Sequence, residues 1–142
     1  MKLRVLGCGG GIGAGQRTTS FLIDDDILLD AGTGVGDLEL TALARIDHVF
    51  VTHAHLDHVT SIPFLLDTVG GTRNKAVTVY ALPETIADLR AHLFNWNIWP
   101  DFTEIPSPDR PLLRFEAVTV GQARDLDGRR ITPVPANHID RK

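Results

Sequence analysis

The sequence predicts an α/β fold organised on one β-sheet with mixed strand pairing. Three observations lead there. Short runs of β-rich residues alternate with stretches of helical apolar spacing. The earliest runs are joined too tightly for a helical crossover, whereas later ones are separated by helix-length segments. No repeat or linker interrupts the 142 residues, which are 43% hydrophobic and 23% charged. Residues 1–142 therefore read as a single domain with a sizeable core.

Residues 3–6 read as the first strand, followed by a glycine-rich turn over 7–15. Residues 18–23 and 27–29 flank Asp24-Asp25-Asp26, a turn composition, and read as a hairpin. Gly32 and Gly34 break the chain, and Val35, Leu38 and Ala42 then fall at helical spacing within 35–44. Residues 47–52 form a strand, and 57–69 a helix stopped by Gly70-Gly71. Residues 76–80 form a strand and 83–93 a helix opened by Pro83. From 94 to 111 there is no clean period. Residues 113–120 and 129–134 read as strands around the polar turn Asp125-Leu126-Asp127-Gly128.

The net charge of −4 argues against a non-specific nucleic-acid binder, which carries a basic stripe. Cys8 is the only cysteine, so no intrachain disulfide is available. The opening residues lack the apolar run of a signal peptide, and no apolar stretch approaches the roughly 20 residues of a membrane span. A cytoplasmic location is the default expectation.

The strongest local signal is His53-Ala-His55-Leu-Asp57-His58. Imidazole suits zinc, iron and manganese, and Asp57 adds a hard oxygen donor. With a strand just before it, His53 and His55 sit two apart on the loop at the strand's carboxyl end. Asp57 and His58 then begin the next helix, so one loop can serve two metals. Open α/β sheets bind ligands beyond the carboxyl ends of their strands, which is where this loop falls. His48 and His92 take structural readings, His92 because an imidazole favours the dipole at a helix end.

Gly9-Gly10-Gly11-Ile12-Gly13-Ala14 matches the dinucleotide pattern G-x-G-x-x-G/A, with Asp30 at 21 residues beyond Gly9. The context fails. Only fourteen residues separate Gly15 from Asp30, enough for a hairpin but not for a crossover helix and a second strand. These glycines read as a tight turn beside the metal cleft.

The strand followed by THAHLDH resembles the His-x-His-x-Asp-His signature of the metallo-β-lactamase superfamily. The resemblance implies an αββα sandwich, of which this chain is expected to cover the N-terminal half. It implies two zinc ions, with manganese or iron also compatible. His53 and His55 would bind the first, and Asp57, also expected to be catalytic, and His58 the second. His138, following Ile131-Thr132-Pro133-Val134-Pro135, matches the third histidine of the first metal. Asp30 in Leu29-Asp30-Ala31-Gly32 resembles the family's Asp-x-Gly turn, which supports the metal loop from behind. The family's bridging aspartate and last histidine have no counterpart here.

Two close metal ions lower the pKa of water and neutralise charge on phosphorus or carbonyl. Chemistry alone leaves phosphodiesters, thioesters and lactams open. The opening residues resemble the branch holding tRNA 3′-end nucleases and class II cyclic-nucleotide phosphodiesterases, and 92–101 is similar to the latter. The resemblance thus implies hydrolysis of a 3′,5′-cyclic nucleotide by a metal-bound hydroxide. A generic or tRNA-processing hydrolase, or a truncated and inactive binding module, are the alternatives. Trp96, Trp99 and Phe102 either stack a purine or cap the core and contact another copy. Expected partners are a small phosphodiester and either a second copy or the other half of the fold, with neither membrane nor nucleic acid.

Overall fold

The computed structural model describes residues 1–136. A six-stranded sheet runs in chain order: β1 (Leu3–Gly7), β2 (Ser20–Ile23), β3 (Ile27–Leu29), β4 (His48–Phe50), β5 (Val77–Ala81) and β6 (Leu113–Ala117). The β1–β2 and β2–β3 pairs are antiparallel and the rest parallel. This is the expected mixed sheet. It also disposes of the dinucleotide pattern, because the strand after the glycines folds straight back on β1.

Side chains alternate across the pleat and sort the sheet into two faces. Leu22, Leu28, Val49 and Val79 face α1 (Leu40–Leu43), α2 (Leu56–Val59), α3 (Ser61–Val69) and α4 (Pro83–His92) in one large core. Ile23, Ile27, Phe50 and Tyr80 face the other way and form a second cluster, joined by Leu126 and Ile131. Register explains the rows: Leu28, Val49, Val79 and Phe115 pair in line, as do Leu29, Phe50, Tyr80 and Glu116.

Three elements depart from the sequence reading. The helix over 35–44 is instead a 3-10 turn at Thr33–Asp37 and the short α1, because Leu38 and Glu39 are extended (ψ 144° and 159°). The turn is held against β1, where a Cβ on Gly34 would lie 2.3 Å from the Leu6 carbonyl oxygen. The helix over 57–69 is interrupted at Thr60, where Pro63 has no N–H to give the Val59 carbonyl. Finally, residues 113–120 and 129–134 do not pair with each other. Arg124–Leu126 (β7) and Arg129–Ile131 (β8) form their own antiparallel sheet, turned by Asp127 (φ 52°) and Gly128 (φ 85°). The other predicted elements lie within a residue or two of their observed bounds. Among the described residues, no helix is long and apolar enough to cross a membrane.

Candidate metal centre

The metal loop leaves the carboxyl end of β4, and α2 begins one residue after His55. The rings of His53 and His55 meet edge-on with centroids 4.6 Å apart, and those of His53 and His58 lie 4.2 Å apart. His58 Nε2 stands 3.4 Å from Asp57 Oδ2. Four of the five residues singled out as ligands therefore lie side by side, in the pairs His53–His55, His53–His58 and Asp57–His58. His138, the fifth, lies outside the described residues.

Asp30 organises the cluster. It is 3% exposed and held at φ 57°, a left-handed conformation unusual for a residue with a side chain. Its Oδ1 accepts the Thr52 backbone N–H at 2.8 Å, and its Oδ2 accepts the Thr52 hydroxyl at 2.8 Å and His58 Nδ1–H at 2.7 Å. Because the single Thr52 hydroxyl proton is given to Asp30, the 2.9 Å contact with His53 must be Nδ1–H donating to Thr52 Oγ1. Both imidazoles thereby carry their ligating lone pair on Nε2, as a metal-binding histidine requires. Donor types and tautomers fit a divalent metal.

Backbone bonds fix the loop to the turn behind it. Ala31 N–H donates to His58 O at 2.7 Å and Ser61 N–H to Ala31 O at 2.9 Å. The buried Ser61 hydroxyl donates to Gly32 O at 2.7 Å. A Cβ on Gly32 would lie 2.5 Å from the Asp57 carbonyl oxygen, so only glycine permits this approach. Thr18 and Thr33 exchange backbone N–H to hydroxyl bonds of 2.9 and 2.7 Å, tying the end of the glycine-rich loop to the same turn. His53 and His55 line a cleft of about 1400 Å³ that continues along α4 and the second sheet face.

Sequence reasoning did not find Thr52 or the part played by α4. The adjacency of Thr52 to His53 was the available signal for the first. His92, read as structural, borders the cleft, as do Glu84, Thr85 and Asp88. Of the three aromatics proposed for stacking, Phe102 is buried in the core and Trp99 packs against that core and, edge-on, Phe64. Only Trp96 is exposed.

At the opposite end of β4, Asp26, Asp47 and His48 bring one donor atom each within 4.8 Å of the others. Cations already occupy them: Arg129 Nη2 lies 2.8 Å from Asp26, Arg73 Nη2 2.7 Å and Lys75 Nζ 3.1 Å from Asp47. Arg129 holds the Asp26 carboxyl below its ordinary range. Burial pushes Asp47 up, but Arg73 and Lys75 together bring it below its usual value. Burial lowers His48, whose Nδ1 lies 2.8 Å from the Tyr80 hydroxyl. This is an ion-paired structural group, with no charge left over for a metal.

Sheet, helices and metal loop together define a metallo-β-lactamase fold. Residues 25–142 match the family described as β-lactamase superfamily domain, and the chain belongs to it. It is similar to a probable 3′,5′-cyclic-nucleotide phosphodiesterase of Yersinia pestis, 31% identical over 156 residues covering 89% of this chain and 44% of that protein. It is also similar to a ribonuclease Z of Halorubrum lacusprofundi, 33% identical over 148 residues covering 97% of this chain and 45% of the other. Unliganded yeast PDE1 shares the fold with a TM-score of 0.68 at 21% identity, over 87% of this chain and 52% of that one. The chain thus spans about half the length of the curated relatives it matches. Ribonuclease Z among them runs against the expectation that nucleic acid is not a partner.

Proposed function

We propose that the protein is a zinc-dependent phosphodiesterase acting on a 3′,5′-cyclic nucleotide. The observation that carries this reading is the clustering of His53, His55, Asp57 and His58, braced through Asp30 and Thr52, with His53 and His55 lining the cleft. The relatives named as cyclic-nucleotide phosphodiesterases support the substrate class.

In this reading His53 and His55, with His138, hold one ion, and Asp57 and His58 hold the second. The bound metal supplies Lewis-acid stabilisation of charge on the phosphoryl group and acidifies water. The chain's own residues do the rest. Asp30 keeps the proton of His58 on Nδ1, and Thr52 keeps that of His53 on Nδ1. Asp57, with a third of its side chain exposed and Oδ2 3.4 Å from His58 Nε2, would accept a proton from attacking water. Leu56 and Leu82 line the cleft with apolar surface that limits its hydration.

Metal content and hydrolysis test this. Purified protein supplied with zinc should retain it after desalting, and zinc at 100 times its Kd should add about 2.7 kcal/mol of stability. His58→Ala should lose the part of that gain contributed by the second ion and retain the first ion's. Zinc-dependent release of linear nucleotide from 3′,5′-cAMP or 3′,5′-cGMP is the expected activity. Failure to retain any metal would sink the proposal. Cleavage of tRNA precursors with no action on cyclic nucleotides would move the substrate to RNA.

A further inference from the structure

The cleft does not end at the metal loop. One stripe of α4 borders it through Thr85, Asp88 and His92, which fall at helical spacings of three and four and so share a face. Thr85 is 6% exposed, yet its hydroxyl has no hydrogen-bond partner among the described residues. No hydrogen bond or ion pair among them engages Asp88 or His92 either. A hydroxyl, a partly buried carboxylate and an exposed imidazole, none of them engaged by the described protein groups, are thus available to a ligand in the cleft. Leu56, Leu93 and Ile98 border the same cleft, and Leu56 and Ile98 are 67% and 64% exposed. Apolar surface beside a polar edge suits a flat heterocycle with hydrogen-bonding groups on its rim.

We propose that this stripe is a nucleobase subsite and that it selects guanine; the inference rests on the cyclic-nucleotide reading. The donor pattern decides the base. A carboxylate only accepts, so Asp88 can take both N1–H and N2–H of guanine in a bidentate pair. Adenine offers it only the N6 amino group, because its N1 is an acceptor and would face the carboxylate lone pairs. The imidazole of His92 has a ring N–H to donate in either neutral tautomer, and guanine O6 is the acceptor on that side. Side chains four apart on a helix have Cβ atoms about 5–6 Å from each other, so one edge of a purine can reach both. Thr85, nearest the helix's buried side, can donate or accept at the ring beyond.

The test uses zinc-loaded protein with 3′,5′-cGMP and 3′,5′-cAMP in a hydrolysis assay, and 5′-GMP and 5′-AMP in calorimetric binding. Guanine should be preferred at least about tenfold in kcat/KM or in Kd, the worth of a charge-assisted hydrogen bond. Asp88→Asn has an amide able to pair with adenine, and should bring the ratio to one or below. His92→Gln, at an exposed position, should weaken guanine binding severalfold and leave adenine unchanged. Neither side chain makes a bond whose loss would unfold the helix, so both variants should melt with the parent. Equal use of the two bases, or a ratio unmoved by Asp88→Asn, overturns the subsite and leaves the cyclic-nucleotide reading standing. If neither nucleotide is bound or cleaved by metal-loaded protein, both fall.

Discussion

On one face of the sheet, Leu28, Val49 and Val79 are wholly buried beneath helices that contribute Ile62, Leu65, Leu66 and Leu89. On the other, among the described residues, the equivalent row of Leu29, Phe50 and Tyr80 meets Val118 and the β7–β8 hairpin through Leu126 and Ile131. Strand composition does not distinguish them, since both rows are apolar and come from the same three strands. What differs is the covering. The helical face depends on packing density. The other depends on a small hairpin pinned by charge, with Arg129 reaching from β8 to Asp24 and Asp26 in the β2–β3 turn.

The largest expected effect comes from breaking the densely packed side. Leu66→Ala should cost about 2–5 kcal/mol in urea unfolding, and Leu29→Ala, half-buried on the opposite face, about 1 kcal/mol or less. Equal costs would mean that the second face is covered in solution as fully as the first.

Arg129→Met removes the clamp while keeping the apolar stem, and should cost roughly 1–3 kcal/mol. Hydrogen exchange would locate the damage: the β7–β8 amides should lose protection while those of β4 and β5 keep theirs. Loss across the whole sheet would instead make the hairpin part of the central core.

Acid sharpens the same contrast. Asp26 and Asp47 have folded-state values below the ordinary carboxylate value of 3.8, so their contribution is present above that value and lost as pH falls through the folded ones. His48 is also depressed, below 6.5, by burial. Its folded state prefers the neutral ring, so its contribution is complete above 6.5 and declines as pH drops towards the folded value. Denaturant titrations from pH 8 to 3 should show a shallow early decline, removed by His48→Gln, and then a steeper one. Stability that rises on acidification would contradict the assignment. Smallest of all, Val5→Thr on the exposed edge strand should change stability by no more than about 0.5 kcal/mol.

Residues whose role is set by their immediate neighbours were legible in the sequence. The metal loop needed only a strand before it and a helix after it, and both are present. The Asp24-Asp25-Asp26 turn and Pro83 at a helix start likewise act locally. Where sequence reasoning failed, a distant group had intervened. Val35, Leu38 and Ala42 have helical spacing, but the turn at Gly34 is held against β1 and Leu38 and Glu39 are extended. Asp127-Gly128 is a standard two-residue hairpin signal. It was absorbed into a longer polar turn because Arg124–Leu126, with one apolar residue in three, does not look like a strand. The cleft-facing side of α4 was hidden for a different reason: polar residues on a helix normally face solvent, and only the tertiary fold shows which solvent-facing stripe borders a site.

The glycine-rich loop divides into two mechanical parts. At Gly7 a Cβ would lie 2.2 Å from the Thr18 carbonyl oxygen, whereas at Gly10 and Gly11 it would meet nothing within 4 Å. The tip is therefore replaceable and the base is not. An epitope or reporter peptide spliced between Gly10 and Gly11 should leave the folded protein intact, and a protease should nick there first. The same graft moved next to Thr18 would part the threonine pair and slacken the turn that carries Asp30. For anyone wishing to tether or label this protein near its metal loop, the useful address is a handful of residues long.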